Sequence, residues 1–161
     1  MRGTYAFAVG KVSDSIVIEA PLAEVWDLYF QPDTWPAWVD QFARVESADA
    51  YPEVGGTLRW QSGSAGRGTV TERVLVHEPR SRHRVAFADP ESEGELETRF
   101  AIEPGEGTGA TRVEQDLEYR ILGGGPLSGL TDVLFVRSQM RGSLRRSLER
   151  LRVEAADRRP G

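Results

Sequence analysis

The sequence predicts an α+β fold in which a curved antiparallel sheet wraps one long C-terminal helix. Three observations predict it. First, residues 95–103 and 111–122 alternate cleanly. Leu96, Thr98, Phe100 and Ile102 oppose Glu95, Glu97 and Arg99, while Val113, Gln115, Leu117, Tyr119 and Ile121 oppose Arg112, Glu114, Asp116, Glu118 and Arg120. A period of two with one apolar side marks a sheet with one wet face. Second, the strand-like runs follow one another at hairpin spacing, with no room for crossover helices. Third, Leu130, Val133, Val136, Met140, Leu144, Leu148 and Leu151 gather on one face of a final helix. That stripe needs a partner, and the sheet is the only large one.

Residues 1–11 have no clear period and read as a loose lead-in. Residues 14–19 are β-branched and form a first strand, which Ala20-Pro21 stops. Leu22, Val25, Trp26, Tyr29 and Phe30 then recur at helical spacing. Pro32-Asp33 breaks this helix, and a second short one over 33–40 carries Trp35 and Trp38. Six further strands are expected at 44–48, 57–62, 68–77, 82–88, 95–103 and 111–122, making seven. Val54-Gly55-Gly56, Gly63-Ser64-Ala65-Gly66, Pro79, Asp89-Pro90 and Pro104-Gly105-Glu106-Gly107 punctuate them. Gly123-Gly124-Gly125-Pro126 opens the last helix, which runs to about Ala155. The reading is one domain over 12–156, with 157–161 a loose tail.

Composition narrows the function. The chain has 161 residues and no cysteine, which removes disulfides, Cys-ligated zinc and thiol nucleophiles together. His77 and His83 are its two histidines, too few to suggest a metal site, and no cofactor is expected. His77-Glu78-Pro79 sits at a strand end and reads as solvated. No apolar stretch approaches the roughly 20 residues of a membrane span. Met1-Arg2-Gly3-Thr4 does not begin a signal peptide, so the cytoplasm is the expected location. A net charge of −5 argues against nucleic acid as a partner, although residues 137–159 hold eight arginines against three acidic residues. Nothing in the sequence points to a particular oligomeric state.

The order of elements, with Ile16-Val17-Ile18-Glu19-Ala20-Pro21 before Val25-Trp26, resembles the START-like or polyketide-cyclase superfamily of helix-grip proteins. The resemblance continues through Asp33 with Trp35-Pro36-Ala37-Trp38, Val54-Gly55-Gly56, Glu103-Pro104, Gly109-Ala110-Thr111, and Leu148 with Leu151. It implies an apolar pocket between sheet and long helix. The lining then expected is Trp35, Trp60, Val85, Phe87, Thr98, Phe100, Gln115, Tyr119, Val133, Val136 and Met140. An apolar wall with a few polar groups suits a hydrophobic small molecule, lipid-like or polyketide-like.

The same resemblance suggests chemistry. Aromatase/cyclases of this kind carry a hydroxyl residue and an arginine two apart on a central strand, and Thr71-Glu72-Arg73-Val74 has that pattern. Local periodicity points the other way, because Val70, Val74 and Val76 share the parity of Glu72. A tyrosine expected after the Trp-Pro helix is Phe42 here, leaving Tyr119 as a substitute proton donor. Arg137 lies within the helix's apolar stripe and either snorkels to water or enters the cavity. Three readings result. The first is a carrier of an apolar ligand, and the second an aromatase/cyclase or dehydratase using Thr71, Arg73, Tyr119 or Arg137. The third is a protein-interaction module presenting Arg141, Arg145, Arg146, Arg150 and Arg152.

Overall fold

The structure, a computed structural model, describes residues 6–63, 67–105, 109–122 and 130–158. Residues 64–66 and 106–108, the glycine run Gly123-Gly124-Gly125 with Pro126, and the side chain of Leu130 lie outside the described residues. Strand β1 (Ala6–Ile18) leads into helix α1 (Leu22–Tyr29), a 3-10 turn (Pro32–Thr34) and the short helix α2 (Trp35–Trp38). Six strands follow: β2 (Phe42–Asp49), β3 (Thr57–Ser62), β4 (Thr69–Glu78), β5 (Arg82–Ala88), β6 (Ser92–Glu103) and β7 (Ala110–Leu122). Helix α3 (Leu130–Asp157) completes the chain. The sheet order is β1-β7-β6-β5-β4-β3-β2, antiparallel throughout. Consecutive hairpins run from β2 to β7, and β1 returns beside β7 to form one edge.

The start of the first strand differs most from the sequence reading. Residues 6–11 belong to β1 and pair with β7 from Ala6↔Leu122 onward. Their alternation is hidden because the inward position is a glycine. Gly10 lies opposite Tyr119, whose hydroxyl oxygen would sit 2.4 Å from a Cβ placed there. Only a residue without a side chain admits the phenol.

The main core lies between the sheet and α1, α2 and the C-terminal half of α3. Ile18, Val25, Trp26, Leu58, Val70, Phe100, Val113, Leu148 and Leu151 are all buried in it. A smaller cluster holds Val12, Leu117, Tyr119 and Leu144. Toward its N-terminus α3 stands away from the sheet. Val136 and Met140 are half-buried, and Val133, Leu134 and Phe135 are exposed. The gap between this half of the helix and the concave sheet face positions the site.

Candidate functional site

A cavity of about 650 Å³ occupies that gap, within the range of small-molecule pockets. Its apolar wall comes from three groups of residues. Trp35 and Trp38 project from α2; Trp60, Val70, Val85, Phe87, Leu96 and Leu117 line the sheet; Val136, Met140 and Leu144 close it from α3. The indoles are held in place through their N–H groups. Trp35 Nε1 donates to the Tyr29 carbonyl at 2.9 Å, and Trp38 Nε1 to Thr34 Oγ1 at 3.2 Å.

Three polar groupings interrupt this wall. At its centre Tyr29 Oη and Thr98 Oγ1 lie 2.9 Å apart, and Gln115 Nε2 donates to them at 3.3 and 3.2 Å. One hydroxyl donates to the other, so one hydroxyl hydrogen stays uncommitted. Gln115 Oε1 is buried and has no partner among the described residues. Burial, opposed by the Thr98 bond and reinforced by the charge of Glu72, pushes the Tyr29 phenol up to about 12. Tyr29 is therefore a neutral hydrogen-bonding group.

The second grouping is on β4. Glu72 turns inward and accepts a 2.6 Å hydrogen bond from Trp60 Nε1. Burial raises its carboxyl above the ordinary range, against the Trp60 bond and the more remote charge of Arg67. Arg67 sits with its guanidinium 5.2 Å from the Trp60 ring centroid and donates from Nε to Asp89 Oδ2 at 2.9 Å. Tyr51 also lines the cavity, and burial together with Glu72 raises its phenol well above the usual value.

The third grouping is a histidine pair. His77 and His83 approach with Nδ1 atoms 3.0 Å apart, packed against Phe30. Burial, and the neighbouring His77, hold His83 down to about 3. No third His, Cys, Asp or Glu joins them as a metal cluster among the described residues.

At the rim, Asp40 clamps the end of α2 to α3. Its carboxylate accepts from Ser143 Oγ at 2.8 Å and from Arg146 Nε and Nη2 at 3.0 Å, with Arg150 Nη1 at 3.4 Å. Burial alone would raise its pKa, but these donors bring it below the usual carboxylate range.

The expected lining residues are distributed as follows. Trp35, Trp60, Val85, Phe87, Thr98, Gln115, Val136 and Met140 come together around the cavity. Phe100 does not; it packs in the core against Trp26 and Tyr29. Tyr119 is buried over Gly10 in the smaller cluster, whose neighbours Leu117 and Leu144 line the cavity while Tyr119 itself does not. Val133 and Arg137 stand exposed on α3, where the helix has left the sheet. Arg137 is close enough to lower the Tyr119 pKa, although burial dominates and raises it.

Thr71 and Arg73 require a correction as catalytic candidates. Both are exposed on the outer, convex face of β4, because the regular pairing of β4 with β3 turns Glu72 inward and its neighbours outward. Periodicity, which put Glu72 with Val70 and Val74, describes this strand better than the Thr-x-Arg pattern. His77 also departs from expectation. A register shift between Val74 and Val76 turns it toward His83, and it is half-buried among aromatic rings. Sequence reasoning missed Tyr29, Tyr51 and Arg67 as cavity residues; Tyr29 lies within the α1 apolar pattern, while Tyr51 and Arg67 sit in turns without period.

A family model described as polyketide cyclase / dehydrase and lipid transport matches residues 9–156. The chain belongs to this family. Solved structures agree on the helix-grip fold. The Zhui aromatase/cyclase from Streptomyces sp. R1128 superposes with a TM-score of 0.68 at 16% identity, covering 93% of this chain and 95% of that one. A protein of Thermus thermophilus gives 0.67 at 20% identity, covering 92% and 98%. Norcoclaurine synthase from Thalictrum flavum, in complex with dopamine and hydroxybenzaldehyde, gives 0.63 at 11% identity, covering 95% and 90%. At such identities the likeness is one of fold. Among curated proteins none matches the chain significantly.

Proposed function

We propose that this family member binds a hydrophobic small molecule, lipid-like or polyketide-like, in the cavity beneath α3. The observation that carries the reading is the cavity itself. It has an aromatic and aliphatic wall around a few fixed polar groups, Glu72, Tyr51 and the Tyr29–Thr98–Gln115 cluster. Such a wall supplies affinity by removing apolar ligand surface from water, and the polar groups orient what enters. The uncommitted hydroxyl hydrogen of the Tyr29–Thr98 pair favours a ligand with an oxygen to accept it. In this reading the ligand is neutral, because Arg67 and Arg146, the cations of the described lining, are already paired with Asp89 and Asp40.

A second reading, processing of a polyketide-like substrate as an aromatase/cyclase or dehydratase, is favoured by the inward carboxyl of Glu72 and by the family description. The interaction-module reading has less support. Arg145, Arg146, Arg150 and Arg152 are engaged with Asp14, Asp40 and Glu149 rather than offered to a partner. No helix among the described residues is long and apolar enough to cross a membrane.

Titration with a neutral naphthylamine fluorophore and a panel of fatty alcohols and aromatic ketones tests the binding. Trp35, Trp38 and Trp60 line the cavity and report occupancy through their emission. We expect saturable changes with micromolar affinity, about −8 kcal/mol. No response across the panel would overturn the reading.

A further inference from the structure

We propose that Glu72 is a general base toward carbon acids, taking a proton from an activated C–H group of an apolar molecule held in the cavity. The inference rests on the binding reading above and adds a chemistry to it. It places that chemistry on the opposite face of β4 from Thr71 and Arg73.

Geometry carries the proposal. Glu72 projects from the middle of β4, between Leu58 on β3 and Phe87 on β5, so its neighbours across the sheet are apolar. The indole of Trp60 fixes Oε2 at 2.6 Å. Oε1 receives no hydrogen bond from the described residues and is not sealed from the cavity, so it is the oxygen left for a ligand. No salt bridge from the described residues neutralises the carboxyl. The cation that influences it, Arg67, donates its Nε to Asp89 and lies against the Trp60 ring. A carboxylate deprived of water and of an ion-pair partner is a stronger base than one in solvent. The raised pKa of Glu72 agrees with this. Anchoring one oxygen through an indole also removes the reorientation a free carboxylate would need before transfer.

The step is balanced by the residues present. For a ketone, the C–H bond beside the carbonyl breaks and its proton passes to Glu72 Oε1. The electron pair moves into a C=C bond and the carbonyl pair onto oxygen, giving an enolate. The uncommitted hydroxyl hydrogen of the Tyr29–Thr98 pair is a donor for that oxygen in the same cavity. Return of the proton from Glu72 to carbon, or to a leaving hydroxide, completes an exchange or an elimination. The step itself consumes no oxidant or co-reactant.

Nitrobenzisoxazole provides a chromogenic test independent of the physiological ligand. Its ring C–H gives up a proton, the C–H pair forms the nitrile, and the N–O bond breaks to release a coloured phenolate. The intact chain should accelerate this reaction about a hundredfold or more over an equal concentration of acetate, the usual scale for a positioned base. Glu72→Gln should remove the acceleration while still binding the neutral naphthylamine fluorophore. Trp60→Phe should slow the reaction without abolishing it, because the anchor of Oε2 is lost. It should also move the midpoint of the pH–rate profile upward, because the bond that lowers the Glu72 pKa is lost. Thr71→Val, on the outer face, should change neither property.

If the fluorophore binds yet the intact chain gives no acceleration, or Glu72→Gln retains it, the base assignment is overturned while the binding reading stands. An unmoved pH midpoint in Trp60→Phe also counts against it. Absence of fluorophore binding in the intact chain overturns both.

Discussion

His83 shows how a single side chain sets a pH limit on this fold. Its ring is buried, with Phe30 and Tyr51 edge-on at centroid distances of 4.7 and 5.8 Å, and the His77 ring at 5.2 Å. The two imidazoles face each other through Nδ1, so a second proton on the pair would place like charges 3.0 Å apart. Burial first, and His77 second, lower the His83 pKa from 6.5 to about 3. The unfolded chain therefore binds a proton near pH 6.5 that the folded chain refuses. This stability is fully present above the unfolded value and is lost as pH falls toward the folded one. Between about pH 6.5 and pH 5 the unfolding free energy should drop by about 2 kcal/mol. The carboxyl of Asp40, held low by Arg146 and Ser143 against the effect of burial, contributes only below about pH 4. The raised carboxyl of Glu72 acts in the opposite direction, adding stability as pH falls, so the comparison with His83→Phe is what isolates the histidine. Denaturant unfolding at both pH values, in the parent and in His83→Phe, should show the dependence largely removed in the variant. An unchanged dependence would assign it elsewhere. Residue pattern places His77 at a solvated strand end because a bulge between Val74 and Val76 leaves no mark in that pattern, and the bulge is what pairs the rings.

Helix α3 separates what periodicity encodes from what it omits. Its stripe of Val133, Val136, Met140, Leu144, Leu148 and Leu151 is plain in the sequence, as is the sheet face it meets. Angular position along a helix says nothing of the distance to its partner. The sheet curves away, so Leu148 and Leu151 are fully buried while Val133 is 38% exposed. That divergence creates the cavity, and explains why Val133 and Arg137 fall outside it. Leu148→Ala should cost about 2–5 kcal/mol, as for a fully buried leucine. Val133→Ala should stay within about 0.5 kcal/mol. A chain ending at Gln139 loses Leu144, Leu148 and Leu151, each buried at about 2 kcal/mol, which together rival the net stability of a domain. It should not fold. Melting curves of the three variants check the order, and a cooperative transition in the truncated chain would contradict the architecture.

At the scale of the molecule, the outer and inner sheet faces do different work. Outside, the acidic strand positions are matched with arginines: Glu97 with Arg82 and Arg99, Glu95 with Arg84, Glu103 with Arg112, and Asp116 with Arg99. Exposed pairs of this kind add little stability each. Their alternation made the sheet readable, since every outward charge fixes the opposite face as inward. Inside, the same regularity cannot say whether apolar residues meet or leave space. Leu96 is informative here. It lies mid-strand on β6, opposite Val85 and Leu117, and borders the cavity. If the space is a ligand site maintained against closure, filling it should harm binding without harming folding. Leu96→Trp would carry an indole into the opening and remove apolar surface now left in contact with it. Its stability should remain within about 1 kcal/mol of the parent, or rise, because an existing cavity absorbs volume that a close-packed core would resist. Affinity for the naphthylamine fluorophore should fall at least about tenfold, equivalent to about 1.4 kcal/mol. Any base activity should fall with it, although Glu72 and Trp60 are untouched. A strongly destabilised Leu96→Trp would mean that the wall is packed shut in solution. A stable variant with undiminished binding would place the ligand elsewhere on the molecule.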